Sequence, residues 1–222
     1  MRERALVIGA SGGIGSALAA GLEARGAEVT RLSRRANGFD ITDPASVEAH
    51  LTALAGPFDS ILVATGALEP GGHPPEKALR QITAESLTAH FALNATGPAL
   101  VLRHAPRLLP RDRRATFAAL SARVGSIGDN HLGGWHGYRA AKAALNQLVH
   151  GAAIELARSH RQAICVALHP GTVATPLTEK HGARHDRVAP EDAAANLLGV
   201  LDGLTPAESG LFFDWAGKPV PW

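Results

Sequence analysis

Short runs of apolar residues alternate with amphipathic segments along the whole chain. The apolar runs predict strands at residues 5–9, 27–32, 60–65, 115–120, 163–169 and 211–214, with a minimal strand near Phe39. Between them, apolar residues recur at helical spacing, as at Ile14, Leu18 and Leu22, and form stripes that can cover a sheet. Continuous apolar strands that alternate with helices indicate a parallel sheet buried on both faces. We therefore expect an α/β fold.

Two long helices are predicted in the second half of the chain, over residues 83–109 and 135–160. Pro98 and Pro106 are expected to bend or interrupt the first of them, because proline removes a backbone donor and clashes with the preceding turn. Both helices are long enough to pack against a partner subunit.

Turn and capping signals mark the remaining boundaries. Asp43 before Pro44 predicts a helix start, since the carboxylate can accept a backbone N–H and proline is tolerated in the first turn. Residues 67–78 and 175–188 are predicted to be loops. No repeat or linker separates a second domain, so we expect one domain over residues 1–222.

Composition excludes several classes of protein. With 45% hydrophobic residues, aperiodic glycines and a single cysteine, the chain is neither disordered, collagen-like nor a disulfide scaffold. No apolar run approaches a membrane span and no signal peptide is evident, so we expect a cytoplasmic protein without membrane contact. A net charge of +2, spread along the chain, gives no support to nucleic-acid binding.

A glycine-rich turn follows the first predicted strand and opens the first helix. It reads Gly9-Ala10-Ser11-Gly12-Gly13-Ile14-Gly15. Glycines let the backbone approach a pyrophosphate, whose charge then lies at the positive end of the helix. The spacing Gly-x-x-x-Gly-x-Gly indicates one nucleotide-binding variant rather than the commoner dinucleotide fingerprint. A turn that binds nothing is the alternative for this motif taken alone.

A tyrosine and a lysine stand four residues apart at the start of the second long helix. Residues four apart share one helix face, so Tyr138 and Lys142 project together. A nearby ammonium stabilises a phenolate and lowers the pKa of the phenol from its usual value of about 10. The pair can then exchange a proton with a substrate oxygen, although this spacing alone occurs in many helices.

These features occur together in the order typical of one family. The chain resembles the short-chain dehydrogenase/reductase family, in its compact form, over essentially its whole length. The resemblance rests on the glycine turn, Asn94 in the long helix, Ser121 at a strand end, the Tyr138–Lys142 pair and residues 170–175. It implies a Rossmann-type, doubly wound parallel sheet of seven strands, in the order 3-2-1-4-5-6-7, with helices on both faces.

The resemblance also implies a role for each matched residue. Tyr138 would be the general acid in carbonyl reduction and the general base in alcohol oxidation. Lys142 would lower the pKa of Tyr138 and hold the nicotinamide ribose. Ser121 would bind the substrate oxygen, and Asn94 would support a water that relays protons through Lys142. Besides Tyr138 and Lys142, the residues implied at the cofactor are Gly9, Ser11, Gly13, Ile14, Gly15, Arg34, Asp40, Ile41, Ala64, Gly66, Pro170, Gly171, Val173 and Thr175.

The chain departs from the family pattern in two places. The usual Asn-Ala-Gly after the fourth strand is replaced here by Ala64-Thr65-Gly66, which lacks the asparagine. The usual Ser-Ser reads Ser121-Ala122, which leaves Ser121 as the candidate, with Ser126 as a weaker substitute. The long segment before Tyr138 resembles the carbonyl-reductase-like subgroup, which includes cell-signalling members.

The end of the second strand indicates the form of the cofactor. An acidic side chain there would bind the ribose hydroxyls of NAD, but the chain reads Ser33-Arg34-Arg35. Arginine can pair with the 2′-phosphate of NADP, so we expect NADP rather than NAD, unless both arginines are solvated loop residues. Asp40 and Ile41 resemble the family's adenine-contacting pair.

Several alternatives remain at this stage. His181 and His185 have the spacing of a metal pair but no acidic or cysteine partner, so a polar lid over the substrate is favoured and no metal is expected. The substrate is expected to be a small carbonyl compound or alcohol. The competing function is a nucleotide-binding sensor or signalling protein with little turnover. By analogy with the family, we expect a homodimer or homotetramer.

Overall fold

Six parallel strands form one sheet in the computed structural model, which describes residues 2–175 and 187–222. The strands are β1 (Arg4–Ile8), β2 (Glu28–Leu32), β3 (Ser60–Val63), β4 (Ala115–Leu120), β5 (Ala163–His169) and β6 (Phe212–Asp214). They lie in the order β2-β1-β3-β4-β5-β6, and every neighbouring pair is parallel. The strand order reverses between β1 and β3, which is where open α/β sheets bind ligands.

The seventh predicted strand, near Phe39, does not form in the described part of the chain. Its backbone groups bond locally instead: the N–H of Phe39 donates to the carbonyl of Ser33, and that of Asp40 donates to Ser46 Oγ at 3.0 Å. Phe39 is buried in the core, so its apolar side chain serves packing rather than an edge strand. Without this strand, the observed order agrees with the predicted one.

Helices cover both faces of the sheet. They are α1 (Gly13–Ala24), α2 (Arg34–Asn37), α3 (Pro44–Ala53), α4 (Ala84–Phe91), α5 (Gly97–Leu102), α6 (Ala105–Leu108), α7 (His136–Leu156) and α8 (Pro190–Gly203). No helix in the described residues is both long and apolar enough to cross a membrane.

The predicted helix over residues 83–109 is interrupted. A π-helical turn, Ala92–Thr96, joins α4 to α5, and Pro98 and Pro106 lie in the first turns of α5 and α6. Pro106 is tolerated because the first N–H groups of a helix have no partner within it. Pro98 follows the π turn directly, in a run that stays helical. The π turn widens the helix at Asn94, and such turns are frequent at functional sites.

The hydrophobic core consists of two layers separated by the sheet. Alternate residues of β1 belong to different layers: Leu6 and Ile8 pack with α3, α5 and α7, whereas Ala5 and Val7 pack with α1 and α8. This alternation follows from the period of two in a strand. It explains why β1 is apolar at successive positions, as the sequence pattern indicates.

Candidate active site

A cavity of about 620 Å³ opens at the carboxyl edge of the sheet. Its walls come from the residues that follow β3, β4 and β5 and from the first turns of α7. The predicted residues that line it are Ile14, Ala64, Gly66, Ser121, Tyr138, Lys142, Pro170, Gly171, Val173 and Thr175. The structure therefore brings together residues from five separate parts of the sequence at the edge where this fold class binds ligands.

Tyr138 and Lys142 are both buried and both face this cavity, one turn apart on α7. Lys142 Nζ donates a hydrogen bond to the backbone carbonyl of Leu120, at the end of β4, at 2.8 Å. The same nitrogen lies 5.9 Å from the centre of the Tyr138 ring. The helical spacing predicted from the sequence thus places the amine beside the phenol.

Burial shifts the pKa values of both Tyr138 and Lys142. It raises the pKa of Tyr138 well above its ordinary value and lowers the pKa of Lys142 to about 7. The sequence predicts the opposite direction for Tyr138, because it shows the neighbouring ammonium but not the loss of water around both groups. At neutral pH the phenol is protonated, as a general acid must be before it acts.

Asn94 joins the site from the π turn. It is fully buried, and its amide group makes two hydrogen bonds to the backbone of Ala67, one accepted at 3.1 Å and one donated at 3.0 Å. A Cβ placed on Gly66 would lie 3.1 Å from Asn94 Oδ1 and 3.4 Å from Lys142 Nζ. Gly66 therefore lets Asn94 and Lys142 approach the same backbone.

Ser121 lines the cavity, but its hydroxyl is directed to another residue. Ser121 Oγ donates to Asn146 Oδ1 at 2.6 Å, and the side chain is buried. The neighbouring Ala122, which also lines the cavity, carries no polar group. Ser126 is buried, where its Oγ accepts from the N–H of Asp129, and it does not line the cavity. The binding of a substrate oxygen by Ser121 stays a prediction.

The glycine turn follows β1 and lies in close contact with the residue after β3. Gly9 has a φ of +86°, and a Cβ there would lie 2.9 Å from the backbone of Ala64. A Cβ on Gly15 would lie 2.2 Å from the carbonyl oxygen of Gly9. Ser11 and Gly13 are exposed at the start of α1, whose first turn holds no acidic residue. This helix end is open to an anion.

The predicted adenosine side lies beyond β2, outside the cavity. Arg34 and Arg35 are exposed in the first turn of α2 and form no ion pair with a described residue. Asp40 Oδ1 accepts from the hydroxyl and the N–H of Thr42, which lowers the pKa of Asp40. Ile41 is buried in the core, so its side chain offers little surface to an adenine ring.

The polar residues of the cavity wall that were not predicted from the sequence include His169 and Arg139. His169 Nδ1 is buried without a hydrogen-bond partner among the described residues, and burial lowers the pKa of this imidazole to about 4, so it is neutral at physiological pH. Arg139 donates to the carbonyls of Gly134 and Val124. Each is adjacent to a matched motif, which is the signal that could have found it. His181 and His185 lie outside the described residues.

Comparisons with known proteins find a matching family model and relatives over most of the chain. Residues 9–202 match a protein-family model described as enoyl-(acyl carrier protein) reductase. The chain is 32% identical to 1-hydroxy-2-glutathionyl-2-methyl-3-butene dehydrogenase of Rhodococcus sp. (strain AD45), over 98% of each chain. It is also 35% identical to the C-signal protein of Myxococcus xanthus, over 65% of this chain and 84% of that one.

Two solved structures share the fold over the full length of both chains. One is a short-chain dehydrogenase/reductase from Burkholderia multivorans with bound NADP, at 26% identity and a TM-score of 0.81. The other is an NADPH-bound carbonyl reductase from chicken fatty liver, at 24% identity and a TM-score of 0.82.

Proposed function

This chain belongs to the short-chain dehydrogenase/reductase family, in its carbonyl-reductase-like part, and on that basis we propose that it uses NADP to interconvert a carbonyl and a secondary alcohol. Family membership makes it an NAD(P)-dependent oxidoreductase. To that assignment we add the cofactor form, the substrate class and Tyr138 as the residue that exchanges the proton.

The proposal rests on the placement of Tyr138 and Lys142 at one cavity, with Asn94 and Lys142 both close to Gly66. Tyr138 and Lys142 line the cavity, while Asn94 lies behind Gly66 with its amide group bonded to the backbone. A protein that only binds a nucleotide does not need a group of residues arranged for proton transfer.

The residues present fit a dinucleotide with a 2′-phosphate. The open N-terminus of α1 suits a pyrophosphate. The exposed guanidinium groups of Arg34 and Arg35, which form no ion pair with a described residue, suit the 2′-phosphate. Pro170, Gly171, Val173 and Thr175 would line the nicotinamide. The bound NADP of the relative from Burkholderia multivorans supports the same choice.

The reaction divides between the cofactor and the chain. When bound, the nicotinamide supplies or accepts the hydride. In reduction, Tyr138 Oη donates its proton to the carbonyl oxygen, and in oxidation it takes the proton from the alcohol. The ammonium of Lys142 stabilises the phenolate left behind, and Asn94 holds the backbone beside Lys142. The buried setting of the pair keeps bulk water from the phenol.

Cofactor absorbance, followed against a panel of aldehydes and ketones, tests the proposal. Tyr138→Phe is expected to lower turnover by about 100-fold or more, because it removes the proton donor. It should leave NADPH affinity nearly unchanged, as measured by quenching of tryptophan fluorescence. Oxidation of the alcohol for which the Rhodococcus relative is named belongs in the same panel. A Tyr138→Phe variant that keeps full turnover would contradict the proposal.

The alternative is a nucleotide-binding sensor or signalling protein with little turnover, and the similarity to C-signal favours it. The two functions differ in one result. NADPH that binds tightly but is not oxidised with any member of the panel supports the sensor, whereas turnover that depends on Tyr138 supports the enzyme.

We also propose that the chain forms a homodimer or homotetramer. Apolar side chains are exposed on α4 and α7, namely Phe91, Leu148 and Ile154. A second copy of the chain would bury them. Light scattering coupled to size-exclusion chromatography measures the mass, and a monomer at micromolar concentration would contradict this part of the proposal.

A further inference from the structure

Glu76 is a buried carboxylate, between β3 and α4, that the reaction above does not use. Its side chain is only 3% exposed, and its two oxygens accept hydrogen bonds from different elements. Oε1 accepts from Ser86 Oγ of α4 at 2.6 Å, and Oε2 accepts from the backbone N–H of Gly137 in α7 at 2.9 Å. The backbone carbonyl of Glu76 also accepts from the N–H of Trp135. Glu76 thus accepts hydrogen bonds from two backbone N–H groups at the start of α7.

The N-terminus of α7 has no cap from its own segment. Its N-cap residue, Trp135, has a left-handed conformation with φ 51° and makes no side-chain capping bond, and the first turn holds no acidic residue. The first N–H groups of a helix need acceptors, and the positive helix end attracts an anion. Glu76 meets both needs from 61 residues earlier in the chain.

Burial alone would raise the pKa of Glu76, but the hydrogen bonds from the Ser86 hydroxyl and the Gly137 N–H lower it below its ordinary value. The carboxyl is therefore ionised at neutral pH. A negative charge is the form that a helix N-terminus stabilises.

Close packing fixes the same turn of α7. A Cβ on Gly137 would lie 2.7 Å from His90 Cδ2 and 2.9 Å from Glu76 Oε1, so glycine is required at this contact. His90 is fully buried, and its ring meets the Tyr138 ring edge-on with the centroids 6.1 Å apart. Glu76 and His90 together leave the first turn of α7 little freedom to rotate.

We propose that Glu76 is a positioning residue for Tyr138. The buried carboxylate of Glu76 caps α7 and thereby holds the phenol of Tyr138 at the cavity. Tyr138 directly follows Gly137, so loss of the cap releases the turn that carries the phenol. Lys142 lies one turn further on and is held separately by the carbonyl of Leu120. The expected effect therefore falls on proton transfer more than on cofactor binding. Its catalytic consequence rests on the proposed function, whereas its structural consequence does not.

The structural consequence can be measured without a substrate, because Tyr138 is the single tyrosine of the chain. Protein labelled with 3-fluorotyrosine should give one fluorine resonance, which reports only this ring. Glu76→Ala is expected to shift or broaden that resonance. Glu76→Gln, which keeps an oxygen for the Gly137 N–H, and Ser86→Ala, which removes only the other hydrogen bond, should keep it. A wild-type resonance in folded Glu76→Ala overturns the proposal.

Kinetics test the catalytic consequence. Glu76→Ala is expected to lower kcat by about 10-fold to 100-fold with NADPH affinity unchanged, since small displacements of a reacting group cost this much. Glu76→Gln should restore most of kcat, and equal losses in both variants would overturn the hydrogen-bonding role.

A second variant covers the case in which Glu76→Ala does not fold at the assay temperature. Gly137→Ala should then displace the same turn and give the same loss of kcat and the same change in the fluorine resonance, and a wild-type result in this variant overturns the proposal. A wild-type enzyme that turns over no carbonyl contradicts the proposed function instead, and the fluorine resonance alone then decides for or against Glu76.

Discussion

At the scale of single residues, Lys142 occupies an environment that disfavours its own charge. Burial lowers its pKa to about 7 from the ordinary 10.5, and Nζ donates a hydrogen bond to the neutral carbonyl of Leu120. The sequence predicts the spacing of Lys142 from Tyr138, because helix geometry is local. It cannot predict the burial, which depends on β4 and the π turn, or that the Ser121 hydroxyl donates to Asn146.

Lys142→Met is expected to change how stability depends on pH. Between pH 7 and about 9 the unfolded lysine holds a proton that the folded one has lost, so stability should rise with pH by up to about 1.4 kcal/mol per unit. The methionine variant should lose this slope, together with turnover. Urea unfolding at a series of pH values measures it.

Lys77→Met, which removes an exposed lysine, is the matched control and should keep the slope. The raised pKa values of Tyr138 and Cys165 have effects of opposite sign towards pH 9, but these act alike in wild type and variants, so the difference between the slopes reports Lys142. Equal slopes in wild type and Lys142→Met would show that Lys142 is not desolvated.

At the scale of elements, α7 presents three polar side chains to the interior at a spacing of four residues. Tyr138, Lys142 and Asn146 lie on one buried face, whereas Arg139 binds loop carbonyls. The bounds of β4 and β5 agree with the sequence prediction because each is a continuous apolar run between clear breaks. The helix over residues 83–109 was harder to predict, since a π turn needs tertiary contacts that no local pattern encodes.

The start of α3 offers a prediction at the same scale. Asp43 Oδ1 accepts from the N–H of Ala45 at 3.0 Å, as the Asp-Pro sequence predicts. Asp43→Ala should lower the free energy of unfolding by about 1 kcal/mol, because it removes this cap. Asp43→Asn keeps an acceptor and should cost much less. Both variants should retain turnover, and a loss of turnover in Asp43→Ala would mean that this cap also shapes the site.

At the scale of the whole molecule, the sheet determines where chemistry can occur. The order of the strands around β1 and β3 creates the crevice, and the residues after β3, β4 and β5 fill its walls. The sequence predicts this order through its family resemblance, apart from the strand near Phe39. That segment is apolar enough for a strand but too short to replace its local hydrogen bonds with a ladder.

Cofactor preference is a property of the whole molecule that thermal unfolding can measure. A ligand at 100 times its Kd stabilises the folded state by about 2.7 kcal/mol. NADPH should therefore raise Tm more than NADH does at equal concentration. Replacement of Arg34 and Arg35 by Ala should remove this difference and leave the smaller effect of NADH. Equal shifts of the wild-type Tm by both nucleotides would contradict the choice of NADP.

The carbonyl of Gly9 presses so closely on Gly15 that even a methyl group there would collide with the main chain. This glycine is therefore demanded by the crossing of the first strand and the first helix, whatever the protein binds. A protein of this fold that lacked the tyrosine and the lysine would still need glycine at this position. Gly15 therefore indicates the fold, and the chemistry has to be judged from other residues.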